Sequence, residues 1–279
     1  MAGSEPRSLG LGIAWRPELA QLAADDERLF VEVIAENVDP ARLPGELTAL
    51  VGAGRNLIPH GIRLSLGGAD HPDPGRLAHL AALAHSVNAP LVSEHIAFAR
   101  AHGIEAGHVL PVARTHEALE IIAENVAIAQ AALPVPLALE HVAALVEWPQ
   151  PDMTEPEFIS ELVARTGAML LLDVSNLFAN AHNHGFDAAS ALDELPLDRV
   201  AYVHVGGGVL RDGRYHDTHC DPVVPGVLEL LEELCARTAP PGILLERDGN
   251  FAPSAELRAE LAQIEAAAAR GTARRAASV

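Results

Sequence analysis

The strongest constraint on the fold is a regular alternation of two kinds of segment. Short β-rich apolar runs end in polar residues and are followed by alanine- and leucine-rich stretches with helical spacing. The eight runs cover residues 9–15, 30–36, 57–62, 91–98, 136–142, 169–176, 200–206 and 243–249. The helical stretches include 74–88, 114–132, 154–166, 223–238 and 254–269. Such alternation predicts a parallel sheet.

Eight repeats in about 270 residues match the size of a (β/α)8 TIM barrel, which is the predicted α/β fold. The run 169–174 is apolar until its Asp, which is typical of a strand buried on both faces. A doubly wound open sheet is the alternative, but the first βα turn lacks the GxGxxG pattern. No linker divides the chain, so residues 1–279 are predicted to form one domain, with poorly ordered ends at 1–8 and 271–279.

The composition excludes several classes of function. With 19 basic and 38 acidic residues the formal charge is −19, which repels phosphates, so no nucleic-acid partner is expected. Every basic residue is an arginine, which excludes a lysine nucleophile, a Schiff base and a Walker-type loop. Two cysteines are too few for a disulfide framework. Without a membrane-length apolar run or a signal-peptide core, a cytoplasmic protein with no membrane partner is expected.

Potential metal ligands end six successive strand candidates. They are His60, Glu94 and His95, Glu140 and His141, Asp173 and Asn176, His204, and Glu246 and Asp248. In a barrel the carboxyl ends of the strands meet at one rim, where active sites of this fold lie. One strand-end carboxylate commonly caps the next helix, but six polar ends in succession are hard to explain by capping. Buried carboxylates need a counter-charge, and a divalent metal is the natural supplier here.

The segment 217-DTHC-220 adds two candidates. If it is extended, Asp217 and His219 project to the same side, while Cys220 points away and is interpreted as a packing residue. Cys235 lies in a helical stretch and is assigned to the core. Mixed imidazole and carboxylate ligands suit iron, manganese or zinc. About eight candidates exceed the needs of one ion, so two or three metals are predicted.

Together these segments resemble the multinuclear non-heme iron-dependent oxidative enzymes, a family that includes the methanobactin-biosynthesis oxidase and the peptide cysteine β-carbon excision enzyme. The resemblance runs from the first strand to about Pro253 and rests on residues 60–68, 93–95, 139–145, 154–162, 171–187, 203–208, 217–223 and 245–251. It implies a xylose-isomerase-like barrel that holds two or three iron ions. It also implies O2-dependent oxidation of cysteine, or another side chain, in a ribosomally made precursor peptide. Many members act with a small partner protein that recruits the peptide's leader.

The resemblance further implies roles for individual residues. His60, His95 and Glu140 would hold one iron; Asp173, His204 and Glu246 would hold a second that shares Glu140; Asn176, Asp217 and His219 would fit a third. His184 matches a family position behind the ligands or against the substrate. The family's chemistry implies that a ferrous ion binds the cysteine thiolate with dioxygen beside it. The resulting ferric superoxide would then remove a hydrogen from the cysteine β-carbon.

Five positions depart from the family pattern. Glu94 replaces the usual Asp, His141 the usual Asn and Gly208 a usual second His, while Ala143 and Ala144 replace serines. These changes touch the surroundings of the ligands and the pocket. His141 becomes a candidate for an extra ligand or a general base.

Other functions remain open from the sequence. A sugar isomerase or epimerase on the same barrel needs Mn, Mg or Co and an acid–base pair, but no oxygen. A trinuclear-zinc hydrolase of the endonuclease type would use similar ligands, but the charge of −19 argues against it. A protein that has lost catalysis and only binds metal or a peptide is a further possibility. Oxygen consumption separates the oxidative enzyme from all three.

Overall fold

Short strands form at the predicted apolar runs. In the computed structural model, which describes residues 8–278, strands β1 to β12 are Gly10–Ala14, Phe30–Ile34, Leu57–Gly61, Val92–His95, Ala97–Ala101, Ile104–Pro111, Leu137–Glu140, Met169–Asp173, Val200–Val205, Gly208–Arg211, Arg214–Asp217 and Gly242–Leu245. Eight of them close a parallel barrel in the order β1-β2-β3-β4-β7-β8-β9-β12. The predicted TIM barrel is confirmed, and the open-sheet alternative is wrong.

Helices connect the barrel strands, and several of them begin at a residue whose side chain caps the first turn. Helices α1 to α9 are Ala20–Asp25, Gly45–Gly52, Pro74–Ser86, His116–Ala132, Glu155–Thr166, Val174–His184, Ala188–Leu192, Pro225–Arg237 and Ser254–Ala277. Thr115 caps α4 by accepting from the amide of Ala118, and Thr154 and Glu157 form a capping box at α5. The predicted starts of these two helices are therefore confirmed.

Alternation of side chains along each strand divides the core in two. One large apolar cluster joins the strands to the helices and includes Val31, Leu139, Val203 and the buried Cys235. A second cluster belongs to the barrel interior and contains Phe30, Ile58, Leu171, Tyr202 and Leu244, among others. The interior is thus a packed floor on which the next inward residues of the same strands can be built.

Two antiparallel hairpins stand on the carboxyl rim of the barrel. β5 and β6 follow β4, and β10 and β11 follow β9. The segment after β7 contacts both of them: the Trp148 indole donates to the Pro111 carbonyl at 2.8 Å, and Arg214 donates to the Leu145 carbonyl. These bonds join the two hairpins through one shared segment.

The end of the chain differs from the sequence prediction. Residues 271–279 were expected to be poorly ordered, but α9 continues to Ala277. Gly271 packs so closely on α8 that a Cβ there would lie 2.2 Å from the Glu232 carbonyl oxygen, and Arg270 and Arg274 form ion pairs with the acidic side chains of that helix. The predicted disorder of residues 1–7 and 279 lies outside the described residues. Among residues 8–278, no helix has both the length and the apolarity that a membrane span requires.

Candidate metal centre

The strands bring ligand-type side chains to one level of the barrel. Each of these side chains lies two residues beyond an apolar or aromatic residue of the interior cluster, so it continues the same inward row towards the rim. The pairs are Ile58 and His60, Ala138 and Glu140, Leu171 and Asp173, Tyr202 and His204, and Leu244 and Glu246.

Among residues 8–278 the ligand atoms form four groups, each with one atom per residue and all of these atoms within 4.8 Å of one another. One group, His219, Glu246 and Asp248, includes the exposed Asp248, and the other three are adjacent. We name them position A (His60, His95, Glu140), position B (Glu140, Asp173, His204, Glu246) and position C (Asp173, Asp217, His219). Glu140 is common to A and B, and Asp173 is common to B and C. Three cations held here would therefore be bridged in series by two carboxylates.

The atoms that face these positions are buried and make no well-aligned hydrogen bond. They are Glu140 Oε2, Asp173 Oδ2, His204 Nδ1, Asp217 Oδ1 and His219 Nε2. An unpaired buried polar atom costs about 1–3 kcal/mol, so five at one point need a common partner. Divalent cations satisfy carboxylate oxygens and imidazole nitrogens together, and the residues present fit them.

The two carboxylate oxygens of Asp173 have different roles: one caps helix α6, and the other faces the metal-ligand groups. Oδ1 accepts from the amides of Ser175 at 2.6 Å and Asn176 at 3.0 Å, and so caps the first turn of α6. Oδ2 has no hydrogen bond and lies 3.5 Å from His219 Nε2. The helix therefore fixes the carboxylate in the orientation that leaves one oxygen free for positions B and C.

One imidazole in each position has a raised pKa. Burial opposes the charged form in all three, but Glu140 raises the pKa of His95 to about 9, and the surrounding carboxylates raise those of His204 and His219 well above the ordinary value. The nitrogen-to-oxygen contacts are 3.4 Å for His95 Nε2 and Glu140 Oε2, 3.0 Å for His204 Nδ1 and Glu246 Oε2, and 2.6 Å for His219 Nε2 and Asp217 Oδ2. Two lone pairs at these distances would repel, so the raised pKa values favour a proton on each of these nitrogens in the metal-free protein.

Asp217 and His219 meet through a turn, so the predicted extended geometry is wrong. Asp217 ends β11, whereas His219 has a left-handed backbone with φ 49°. Its amide donates to the Gly207 carbonyl at 2.9 Å, and its carbonyl accepts from the Asp248 amide at 2.7 Å. These two bonds hold a conformation that costs a non-glycine residue about 1–2 kcal/mol. A Cβ on Gly206 would lie 2.3 Å from the His219 ring, so the loop needs glycine there.

Asn176 and His141 lie beside the ligand groups and are engaged in hydrogen bonds. The Asn176 Nδ2 donates to the His141 carbonyl at 2.9 Å and lies 3.5 Å from Glu140 Oε1, so it presents a donor rather than a ligand. Both ring nitrogens of His141 are engaged, Nδ1 with Glu155 at 2.9 Å and Nε2 with the Asp173 carbonyl at 3.0 Å. Burial opposes the charge on this ring, but Glu155 raises the pKa. Both nitrogens of His141 are thus engaged in this structure, one of them with the backbone of Asp173, and its predicted role as an extra ligand or base stays a prediction.

His184, predicted to be catalytic, lies away from the three positions. Its Nε2 donates to the Ala144 carbonyl at 2.7 Å, and its Nδ1 is 3.5 Å from a carboxylate oxygen of Glu147. It lines a neighbouring cavity of 480 Å³, which we name the outer cavity, beside α5 and α7. His184 therefore has no contact with the ligand groups in this structure, and its predicted catalytic role stays a prediction.

Two departures from the family pattern have a local explanation. Glu94 accepts from the amides of Leu64 at 3.0 Å and His95 at 2.9 Å, so the longer carboxylate ties β4 to the segment after β3. A Cβ on Gly208 would lie 2.4 Å from the His216 carbonyl oxygen. The backbone of β10 therefore has no space for the histidine that is usual there.

The sequence analysis missed three buried polar residues behind the centre: Glu32, Ser93 and Tyr202. Glu32 Oε2 accepts from His204 Nε2 at 2.8 Å and from the Tyr202 hydroxyl at 2.5 Å. Ser93 Oγ lies 2.7 Å from that hydroxyl and 2.8 Å from His60 Nδ1. A usable signal was present, because Glu32 interrupts the apolar run 30-FVEVI-34 at an inward position.

A cavity of 380 Å³, here called the central cavity, opens above positions A to C. The walls add apolar side chains of Ile34, Ile62 and Val142 to the ligands, and Arg63 and His108 add polar groups. This volume is within the range of small-ligand sites, and it suits one side chain with its adjoining backbone.

Fold and centre together define a xylose-isomerase-like barrel protein with metal-ligand groups at its carboxyl rim. Solved structures of this fold include L-ribulose 3-epimerase, with a TM-score of 0.59, 18% identity and 96% of each chain covered. Endonuclease IV from Thermus thermophilus has a TM-score of 0.57 and 20% identity, with 92% of this chain and 99% of that chain covered. At these identities the likeness shows the fold alone.

A family model described as "RiPP precursor modification enzyme MbnB/TglH/ChrH" matches residues 10–269, and the chain belongs to this family. The resemblance to the multinuclear non-heme iron-dependent oxidative enzymes is thereby confirmed. A UPF0276 protein of Streptomyces avermitilis is 54% identical over 268 residues; the match covers 92% of this chain and 54% of that relative, so the chain spans about half of its length. A UPF0276 protein of Rhizorhabdus wittichii is 38% identical over 265 residues, covering 94% of this chain and 95% of the relative.

Proposed function

We propose that this chain is a cytoplasmic, multinuclear non-heme iron enzyme that uses dioxygen to oxidise a side chain of a ribosomally made precursor peptide, cysteine being the first candidate. The family acts on such precursors. One observation carries the proposal: three ligand groups joined in series by Glu140 and Asp173 lie at the rim of the barrel.

The donor set supports iron. The three positions offer imidazole and carboxylate atoms and no thiolate, a mixture that suits iron, zinc or manganese more than soft metals. Two or three closely spaced ions bridged by carboxylates suit multi-electron chemistry. Bound iron would supply the one-electron redox steps that couple dioxygen reduction to side-chain oxidation.

The protein's own residues would orient the metal ligands and shield the reacting side chain from water. Asn176 holds the bridging Glu140 by its amide, and the α6 cap fixes Asp173. The apolar wall of Ile34, Ile62 and Val142 limits water at the reacting side chain, which protects a reactive site from side reactions. Divalent cations held by the ligand groups would favour the deprotonated form of a thiol that enters the central cavity.

The rim offers a surface for the rest of the peptide. Five large apolar side chains on the two hairpins and the segment after β7 are exposed: Ile104, Leu145, Val146, Trp148 and Leu210. We propose that the precursor peptide crosses this rim with one side chain in the central cavity. A small leader-binding partner protein would hold the leader outside it.

The test begins with metal content. Protein expressed in iron-rich medium is analysed for metals and by Mössbauer spectroscopy, with Glu140→Ala and the exposed helical control Glu161→Ala. We expect two or more spin-coupled irons per chain in the wild type and the control, and loss of the coupling in Glu140→Ala, because the bridge between positions A and B is gone. Zinc or manganese, with iron absent even when supplied, would favour the isomerase or hydrolase.

The second measurement is peptide-dependent oxygen consumption. A short cysteine-containing reading frame beside this gene would supply the candidate peptide, and a Cys→Ser version of it is the matched control. The proposal predicts oxygen uptake and a mass change with the cysteine peptide only. Bound iron without any turnover would instead favour a protein that only binds metal or peptide.

A further inference from the structure

A row of buried polar side chains connects position A to position B behind the ligands. It runs from His60 through Ser93, Tyr202 and Glu32 to His204, with successive separations of 2.8, 2.7, 2.5 and 2.8 Å. All five side chains are nearly inaccessible to solvent. The residues come from strands β2, β3, β4 and β9, so the row crosses the barrel.

The ligand geometry fixes the direction of every hydrogen bond in the row. His204 faces position B with Nδ1, which lies 3.0 Å from Glu246, so its Nε2 is left to donate to Glu32. His60 faces position A with Nε2, which lies 3.4 Å from Glu140, so its Nδ1 donates to Ser93. A metal-bound imidazole needs a lone pair on one nitrogen and carries its proton on the other.

The remaining two protons follow from these. Because Ser93 Oγ accepts from His60, its own hydrogen is directed to the Tyr202 oxygen. The Tyr202 hydroxyl then donates to Glu32, which also accepts from His204. Both ends of the row thus donate towards one carboxylate, and Glu32 is its only pure acceptor.

We propose that Glu32 is a positioning residue shared by two metal positions, which sets the tautomer of His204 directly and that of His60 through Tyr202 and Ser93. This rests on the proposed metal centre but needs neither iron nor oxygen. The two positions are then prepared by one anion. A substitution of Glu32 affects both positions, whereas loss of the Tyr202 or Ser93 hydroxyl affects position A alone.

Substitutions that change side-chain volume little can separate the effect on both positions from the effect on position A alone. Glu32→Gln replaces an acceptor oxygen with a competing donor; Tyr202→Phe and Ser93→Ala each break the link to His60 while the bond between Glu32 and His204 stays. Tyr215→Phe and Ser86→Ala are matched controls, because the Tyr215 hydroxyl has no hydrogen-bond partner and Ser86 bonds only its own helix. Zn²⁺ is the probe, because it is diamagnetic and has no redox chemistry.

Two readouts are expected to change together. Competition titrations should show Zn²⁺ bound about 10–100-fold more weakly at two positions in Glu32→Gln and at one position in Tyr202→Phe and Ser93→Ala. In zinc-loaded protein with ¹⁵N-histidine, NMR should show His204 protonated at Nε2 and His60 at Nδ1, each assigned by its loss in a His→Gln variant. Glu32→Gln should disturb both signals, and Ser93→Ala only that of His60.

Several results would overturn the inference. They are wild-type zinc affinity and unchanged tautomers in Glu32→Gln, the opposite tautomers in the wild type, or no zinc binding by the wild type. If Glu32→Gln does not fold, equal effects of Ser93→Ala on both histidine signals would also refute it. Should zinc affinity fall as expected while the wild type takes up no iron, only the proposed function fails. Should the wild type oxidise peptide while the variants bind zinc normally, only the inference fails.

Discussion

Metal loading should release protons in a number that the structure gives. Each position contains at least one close contact between an imidazole nitrogen and a carboxylate oxygen, and the contacts of His95, His204 and His219 give the number. These are also the three imidazoles of the centre with raised pKa values. Because a cation occupies the space that the bridging proton holds, three divalent ions should displace about three protons per chain near pH 7.5.

The same count sets the pH dependence of affinity. A metal that displaces one proton binds about tenfold more tightly per pH unit, as long as the pH is below the pKa of the displaced group. At position A this increase should continue to about pH 9, the pKa of His95. For three positions filled together, the overall binding constant should rise about a thousandfold per pH unit around neutrality.

Calorimetric titration with Zn²⁺ in buffers of different ionisation enthalpy measures the proton number directly. We expect a value near three for the wild type and near two for His95→Gln, which lacks the proton at position A. The exposed-surface variant Glu161→Ala should match the wild type. Release of fewer than one proton at saturation would refute the reasoning, since the close contacts would then not be held by protons.

Three further predictions concern stability. Gly207→Ala should lower the free energy of unfolding by about 2 kcal/mol or more, because a Cβ there would lie 1.9 Å from the Asp221 carbonyl oxygen. Denaturant titration measures the loss, and the control Gly45→Ala should unfold like the wild type because a Cβ at Gly45 has open space. Thr154→Ala should cost about 1 kcal/mol by removing the cap of α5, and an unchanged midpoint would contradict the capping box. The pKa of His95 rises from 6.5 to about 9 when the metal-free protein folds. The protonated ring therefore stabilises the fold by roughly 3 kcal/mol below pH 6.5, and this stabilisation is lost as the pH rises through 9. The melting temperature of the metal-free protein should fall over that pH range.

The sequence predicted the barrel well because each strand is an apolar run of limited length between helical stretches. It also predicted which polar side chains come together inside the barrel, because a polar residue two positions after an inward residue faces the same side of the strand. His141 was grouped with Glu140, but successive strand residues face opposite sides. Glu140 points into the barrel, and His141 therefore points to the helix layer, where it contacts Glu155.

What the sequence could not supply was contact between distant segments. Glu32 lies 172 residues from His204 along the chain, and no local pattern pairs them. The left-handed turn at His219 depends on its bonds to the loop after β9 and to the residues after β12, which are known only once the barrel is closed. The order of α9 beyond residue 270 likewise depends on its packing against α8.

The shared use of Asp173 makes α6 part of the response to metal. Any cation that fixes the free oxygen of this carboxylate also stabilises the helix that the other oxygen caps. The amides in the first turn of α6 should therefore exchange with deuterium more slowly in the loaded protein. The far end of α6 carries His184 to the outer cavity. Coupling between two binding sites is reciprocal. If a molecule in the outer cavity stiffens α6 and raises the metal affinity by some factor, bound metal must raise the affinity for that molecule by the same factor.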